Sequence, residues 1–150
     1  MAVIVPRQQA QTGAQVYFLR GEEEEAEALF RKVVALDATD TQASMRLGDL
    51  YDVQERFPDA VLAYTNAYRW WPDSALPLAS LGQAYYRSGQ CGEALPPLEQ
   101  SLQIEPTGPL TYQALAACYL ELGQVDQAIT VIHDGLKKYP QDDSLLRMLP

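Results

Sequence analysis

A 34-residue register runs through this chain without insertion or deletion, dividing it into blocks 7–40, 41–74, 75–108 and 109–142. Self-similarity at a period between 20 and 50 residues marks a repeat architecture, in which each unit buries its apolar face on its neighbours. The columns make the register visible. Position 8 holds Ala14, Gly48, Gly82 and Ala116, and position 11 holds Tyr17, Tyr51, Tyr85 and Tyr119. Position 20 is Ala26, Ala60, Ala94 and Ala128, while position 24 is Phe30, Tyr64, Leu98 and Ile132. Position 27 is Val33, Ala67, Ser101 and Gly135, and position 32 is Ala38, Pro72, Pro106 and Pro140.

Positions 4, 7, 8 and 11 share one face of a helix, as do 20, 24, 27 and 28. Each block therefore predicts two amphipathic helices. The small residues at 8, 20 and 27 permit close backbone approach, and the large ones at 7, 11 and 24 fill the surrounding space. Gly21, Gly89 and Gly123 at position 15 suit the turn between the helices. Proline at position 32 cannot continue the second helix.

The spacing Leu81-Gly82-x2-Tyr85, Ala94-x3-Leu98, Pro106 resembles the tetratricopeptide repeat (TPR) family, and the resemblance extends over residues 7–142. It implies an all-α fold, an α-solenoid of antiparallel helix–turn–helix repeats forming a right-handed superhelix. Residues 1–150 then form a single domain, with 143–150 as a partial capping helix. It further implies that the first helices line a groove through positions 2, 5, 9, 12 and 13. Carried over, these are Gln8, Gln11, Gln15, Phe18 and Leu19 in the first block, and Gln42, Met45, Asp49, Asp52 and Val53 in the second. The third block contributes Leu76, Ala79, Gln83, Tyr86 and Arg87, and the fourth Leu110, Gln113, Ala117, Leu120 and Glu121. Phe18, Met45, Tyr86 and Leu120 are expected as exposed apolar anchors, with the glutamines available to a peptide backbone. Family members that clamp a C-terminal carboxylate do so with Lys, Asn and Arg. Here those places hold Gln11, Gln15, Arg46, Leu76 and Ser80, of which only Arg46 is basic, so recruitment of heat-shock protein tails is not expected.

Departures from the pattern carry their own expectations. Gly13 replaces the usual Leu and Ala38 the usual Pro, so the first repeat is expected to be the loosest. Glu55 replaces the turn glycine, predicting a longer or different turn. Pro96 and Pro97 predict a distorted or late-starting second helix in the third block. Ser144 is a candidate cap for a short helix carrying Leu145, Leu146, Met148 and Leu149, cut off at Pro150; such a stub would leave the last second helix partly bare.

Chemistry is sparse. No HExxH, P-loop, GxGxxG or GxSxG is present, and the one histidine, His133, falls on an outer column. Glu22 to Glu25 reads as a solvated helix N-terminus complementing the dipole rather than a metal site. No catalytic residue, metal or cofactor is expected. Trp70 sits in a column with Leu36 and Ile104 and is expected in the core; Trp71 falls in the inter-repeat turn. Cys91 and Cys118 have no CxxC spacing and read as small buried side chains of a reducing compartment, since sequence says nothing of their approach. The net charge of −9 disfavours nucleic acid and anionic membranes and favours neutral or basic partners. No apolar stretch approaches a membrane span and Met1–Val5 is too short for a signal peptide, leaving the cytoplasm as the default location.

The function expected is a non-enzymatic scaffold or adaptor that holds a peptide or helix of a partner protein. Two alternatives stand beside it. The segment Tyr17 to Arg31 is similar to the opening repeat of acidic chaperones from bacterial secretion systems, which keep aggregation-prone partners soluble. The short C-terminal cap and apolar Met1–Val5 motivate a self-assembling, homo-oligomeric module.

Overall fold

The computed structural model describes residues 6–150, so the apolar Met1–Val5 segment lies outside the described residues. Helices follow one another as α1 (Pro6–Arg20), α2 (Glu23–Leu36), α3 (Thr41–Val53), α4 (Phe57–Trp70), α5 (Ala75–Arg87), α6 (Cys91–Ile104), α7 (Pro109–Glu121), α8 (Val125–Lys138) and α9 (Asp143–Met148). Every second helix of a block runs from position 17 to position 30. α3, α5 and α7 each fill positions 1 to 13. None of the described helices is long and apolar enough to cross a membrane.

Two compact units result, Met1–Pro72 and Asp73–Pro150. In the first, α1 packs on α2, α2 on α3 and α3 on α4; in the second, α5 to α8 continue the pairing and α9 packs on α7 and α8. The small columns act as the spacing implied. A Cβ added to Gly48 would come within 2.3 Å of the Tyr64 ring, and one on Gly82 within 2.5 Å of Leu98. At Gly48 and Gly82 the bulk of Tyr64 and Leu98 thus leaves no room for a side chain.

The turns hold corrections. Glu55 takes φ +58°, the left-handed conformation of Gly21, Gly89 and Gly123. Its amide bonds to the Asp52 carbonyl at 3.0 Å and the Arg56 amide to the Tyr51 carbonyl at 2.8 Å. The same pair recurs at Gly89 and Gln90, bonded to Tyr86 and Tyr85. The turn is therefore of the same form and length as the others, against expectation, because the Schellman hydrogen bonds and the packing of α3 on α4 outweigh the cost of placing a side chain there. Glu55→Gly should raise stability by about 1 kcal/mol, read as a higher urea midpoint; an unchanged or lower midpoint would mean the glutamate is unstrained.

Pro96 and Pro97 neither delay nor break α6, which starts at Cys91 like its counterparts. The carbonyls that lose donors belong to Gly92 and Glu93, both exposed, where water takes the place of the missing amides. α2 ends at Leu36 without its proline. Asp37 Oδ1 accepts from the Thr39 amide at 3.0 Å and its hydroxyl at 2.6 Å. These bonds to Thr39 hold the Asp37 carboxyl below its ordinary value. At the C-terminus the cap is Asp142, not Ser144: its Oδ1 accepts from the Leu145 amide at 2.8 Å. Asp142 shares position 34 with Asp40 and Ser74, which cap α3 and α5. Leu145 is fully buried, and the inward residues Ala128, Ile132 and Gly135 of α8 are buried with it, so α9 leaves less of α8 bare than its length implies.

A second correction concerns the cysteines. Cys91 on α6 and Cys118 on α7 are joined by a disulfide, with Cα atoms 4.9 Å apart. Both are buried as expected, within a cluster with Ala94, Leu98, Ala114 and Leu115. The bond ties the third repeat to the fourth. Bonds of this kind persist in oxidising surroundings, which weighs against the reducing compartment read from their separation.

Candidate functional site

The faces formed by the first helices differ between the units. In the first unit most predicted groove residues are already engaged. Gln11 donates to Gln42 at 3.4 Å. The half-buried Phe18 ring meets Phe30 edge-on at 6.3 Å, and the Arg46 guanidinium lies 5.1 Å from its centroid. Arg46 also pairs with Asp49 at 3.5 Å, and the Tyr64 hydroxyl donates to Asp49 at 3.0 Å. Burial pushes the Asp49 carboxyl above its ordinary value, with the Tyr64 hydrogen bond and Arg46 opposing that shift. Gln15 and Asp52 are half-buried. Met45, expected as an exposed anchor, is only 9% exposed. Its column tilts inward on α3, where Ala43, Ser44, Leu47 and Gly48 are buried around it.

The second unit presents a different surface. Column 2 exposes Leu76 and Leu110, the latter at 61%, and column 12 exposes Tyr86 and Leu120. Between these pairs lie the column-9 and column-5 amides. Gln83 donates to the Thr111 hydroxyl at 3.4 Å, and Gln113 to the Asp142 carboxylate at 2.9 and 3.1 Å. Each amide thus commits an N–H to the following repeat, which orients the side chain and leaves its carbonyl oxygen as an acceptor. Arg87 and Glu121 are exposed at the ends of α5 and α7, and Ala79 of α5 is buried. The unit offers two apolar rows on neighbouring parallel helices, separated by a fixed polar stripe.

Some features escaped the sequence. Leu76 and Leu110 matter as a pair only once both prove exposed. Trp70, expected in the core, is 50% exposed, as are Leu36 and Ile104 to similar degree. Position 30 closes the last turn of each second helix. Trp71 is exposed as expected, and so is His133.

Comparison with known proteins identifies the family and the fold. Two family models, both described as tetratricopeptide repeat, match residues 45–109 and 88–149, together most of the helical register. The chain belongs to the tetratricopeptide repeat family. Hsp70-Hsp90 organizing protein 1 of Glycine max is 26% identical over 93 residues, covering 62% of this chain and 16% of that protein. Anaphase-promoting complex subunit 6 of Arabidopsis thaliana is 27% identical over 116 residues, covering 77% of this chain and 21% of that protein. The chain therefore spans a fifth or less of the length of most such relatives. Among solved structures, MamA superposes with a TM-score of 0.83 at 23% identity, over 91% of this chain and 80% of that one. A thermophilic TPR protein of Thermus thermophilus superposes with a TM-score of 0.71 at 23% identity, over 95% of this chain and 79% of that one. These likenesses establish an α-solenoid of stacked TPR helix pairs.

Proposed function

We propose that this TPR chain is a non-enzymatic adaptor that holds a peptide or helix of a partner protein along its first-helix faces. One observation carries the reading: the paired exposure of Leu76 with Leu110 and of Tyr86 with Leu120. Large apolar side chains in matching columns serve no core where they stand, and two rows flanking oriented amides suit an amphipathic or extended ligand. The partner expected is neutral or basic, given the net charge of −9. The relatives named for organizing Hsp70 and Hsp90, and for the anaphase-promoting complex, support protein binding as the general role. A carboxylate clamp is not part of the proposal, since Arg46 is the one basic residue at the clamp places and it is paired with Asp49.

The test is affinity capture from the source cell's lysate with the wild-type chain and with Tyr86→Ala/Leu110→Glu/Leu120→Glu. All three residues are exposed, so circular dichroism should be unchanged. Proteins retained by the wild type and reduced at least tenfold with the variant support the adaptor reading. Equal retention by both would overturn the assignment of this face.

A further inference from the structure

An open groove of about 360 Å³ lies in the first unit, between α2 and α4 and above α3. Its floor is Ser44, Leu47 and Tyr51, and Val34, Ala35, Leu62 and Ala63 form its walls. These α3 residues occupy columns 4, 7 and 11, whereas the first-helix face uses columns 2, 5, 9, 12 and 13. The two surfaces therefore lie on different sides of α3, and this groove does not depend on the function proposed above.

The groove is held open at both ends. Arg56 bridges Glu27 of α2 at 2.9 Å and Asp59 of α4 at 3.1 Å. At the other end Asn66 donates to the Ser44 hydroxyl at 2.7 Å and to the Ala38 carbonyl at 3.0 Å. A cleft fixed this way costs little ordering when it is filled. Its apolar character is not accidental exposure of one residue. Leu62 is 70% exposed, and Val34, Ala35 and Ala63 line the trough with it. In the last repeat the corresponding columns, Tyr119, Gln127, Thr130 and Val131, line a more polar hollow of about 290 Å³, where Thr130 stands in place of Leu62 and the buried Tyr112 in place of Ser44.

Charge identifies the occupant. Glu24 and Glu27 share the groove side of α2 with Arg31. At the Arg56 end Glu23 accepts from Gln54 at 3.0 Å, and Glu27 and Asp59 both pair with Arg56. Four carboxylates against Arg31 and Arg56, in a chain of net charge −9, leave a negative lip beside an apolar trough. The lined stretch of α4 from Asp59 to Asn66 is about 10 Å long, two helical turns. We propose that this groove docks a basic amphipathic helix of a partner protein, with apolar side chains at i, i+4 and i+7 in the trough and Lys or Arg over the glutamates.

The test uses a fluorescein-labelled 18-residue Leu/Lys amphipathic helix, titrated with the full chain by anisotropy at low and high salt. Saturable binding should weaken at least tenfold with Leu62→Glu, and Glu24→Lys should weaken it and flatten its salt dependence. Leu120→Glu, on the other surface, should leave it unchanged. Both Leu62 and Leu120 are exposed, so the substitutions spare the core. The proposal is overturned by absence of binding, by equal binding of a scrambled non-amphipathic Leu/Lys peptide, or by equal affinity for the Leu62→Glu chain. Loss of binding with Leu120→Glu instead would place the peptide on the first-helix face and likewise overturn it. A concentration-dependent dimer in sedimentation, abolished by Leu62→Glu, would show that a second copy fills the groove and not a basic helix.

Discussion

Leu98→Ala should destabilise the chain by about 3 kcal/mol, within the range of roughly 2–5 kcal/mol measured for emptying a buried leucine site. Leu98 is fully buried on α6 and sits over Gly82 of α5, where a Cβ would come within 2.5 Å of it. It also belongs to the cluster of Cys91, Ala94, Ala114, Leu115 and Cys118 that joins α6 to α7. Truncation leaves a void that the rigid helix backbones cannot collapse to fill, because Gly82 has no side chain to lean into it. The measurement is equilibrium urea unfolding by circular dichroism. A loss below about 1 kcal/mol would mean the site repacks and that the position-8 and position-24 pairing is not what fixes the distance between α5 and α6. The compensating variant Gly82→Ala/Leu98→Ala should recover part of the loss, since the new methyl group occupies the space the leucine vacated.

Reduction of the Cys91–Cys118 disulfide should cost about 3.5 kcal/mol, the loop-entropy value for a closure of 27 residues. Urea midpoints with and without dithiothreitol give the difference, and thiol titration of the denatured, unreduced chain should find no free thiol. Two titratable thiols before reduction, with no change of midpoint on adding reductant, would overturn the pairing. Repeat arrays transmit stability mainly to neighbours, so hydrogen exchange should quicken in α6 and α7 and change less in α2 and α3. Because Leu98 shares the cluster with both cysteines, its truncation and reduction should not add independently.

The difference between what could be read and what could not is physical. Helix positions were legible because the register recurs: every second helix starts at position 17 and ends at position 30, as the small and large columns require. Position 34 holds the caps Asp40, Ser74 and Asp142, with Gly108 between them in the third block, whereas Ser144 stands nearer the apolar run. Glu55 could not be judged by residue type, since its turn is imposed by the packing of α3 on α4. Proline's effect at 96 and 97 depended on whether Gly92 and Glu93 face water.

The candidate surfaces were only half legible. Column offsets named Tyr86 and Leu120, which are exposed, and Met45, which is buried. Periodicity assigns a residue to one side of a helix; it does not say how far a neighbour overlaps that side. The sequence alone determined the family and the helix register, because these follow from spacing along one chain. Tertiary structure decided the disulfide between Cys91 and Cys118, the spending of Gln83 and Gln113 on their neighbours, and the groove walled by Leu62. Each depends on the distance between residues about 30 apart in sequence, set by how adjacent repeats pack.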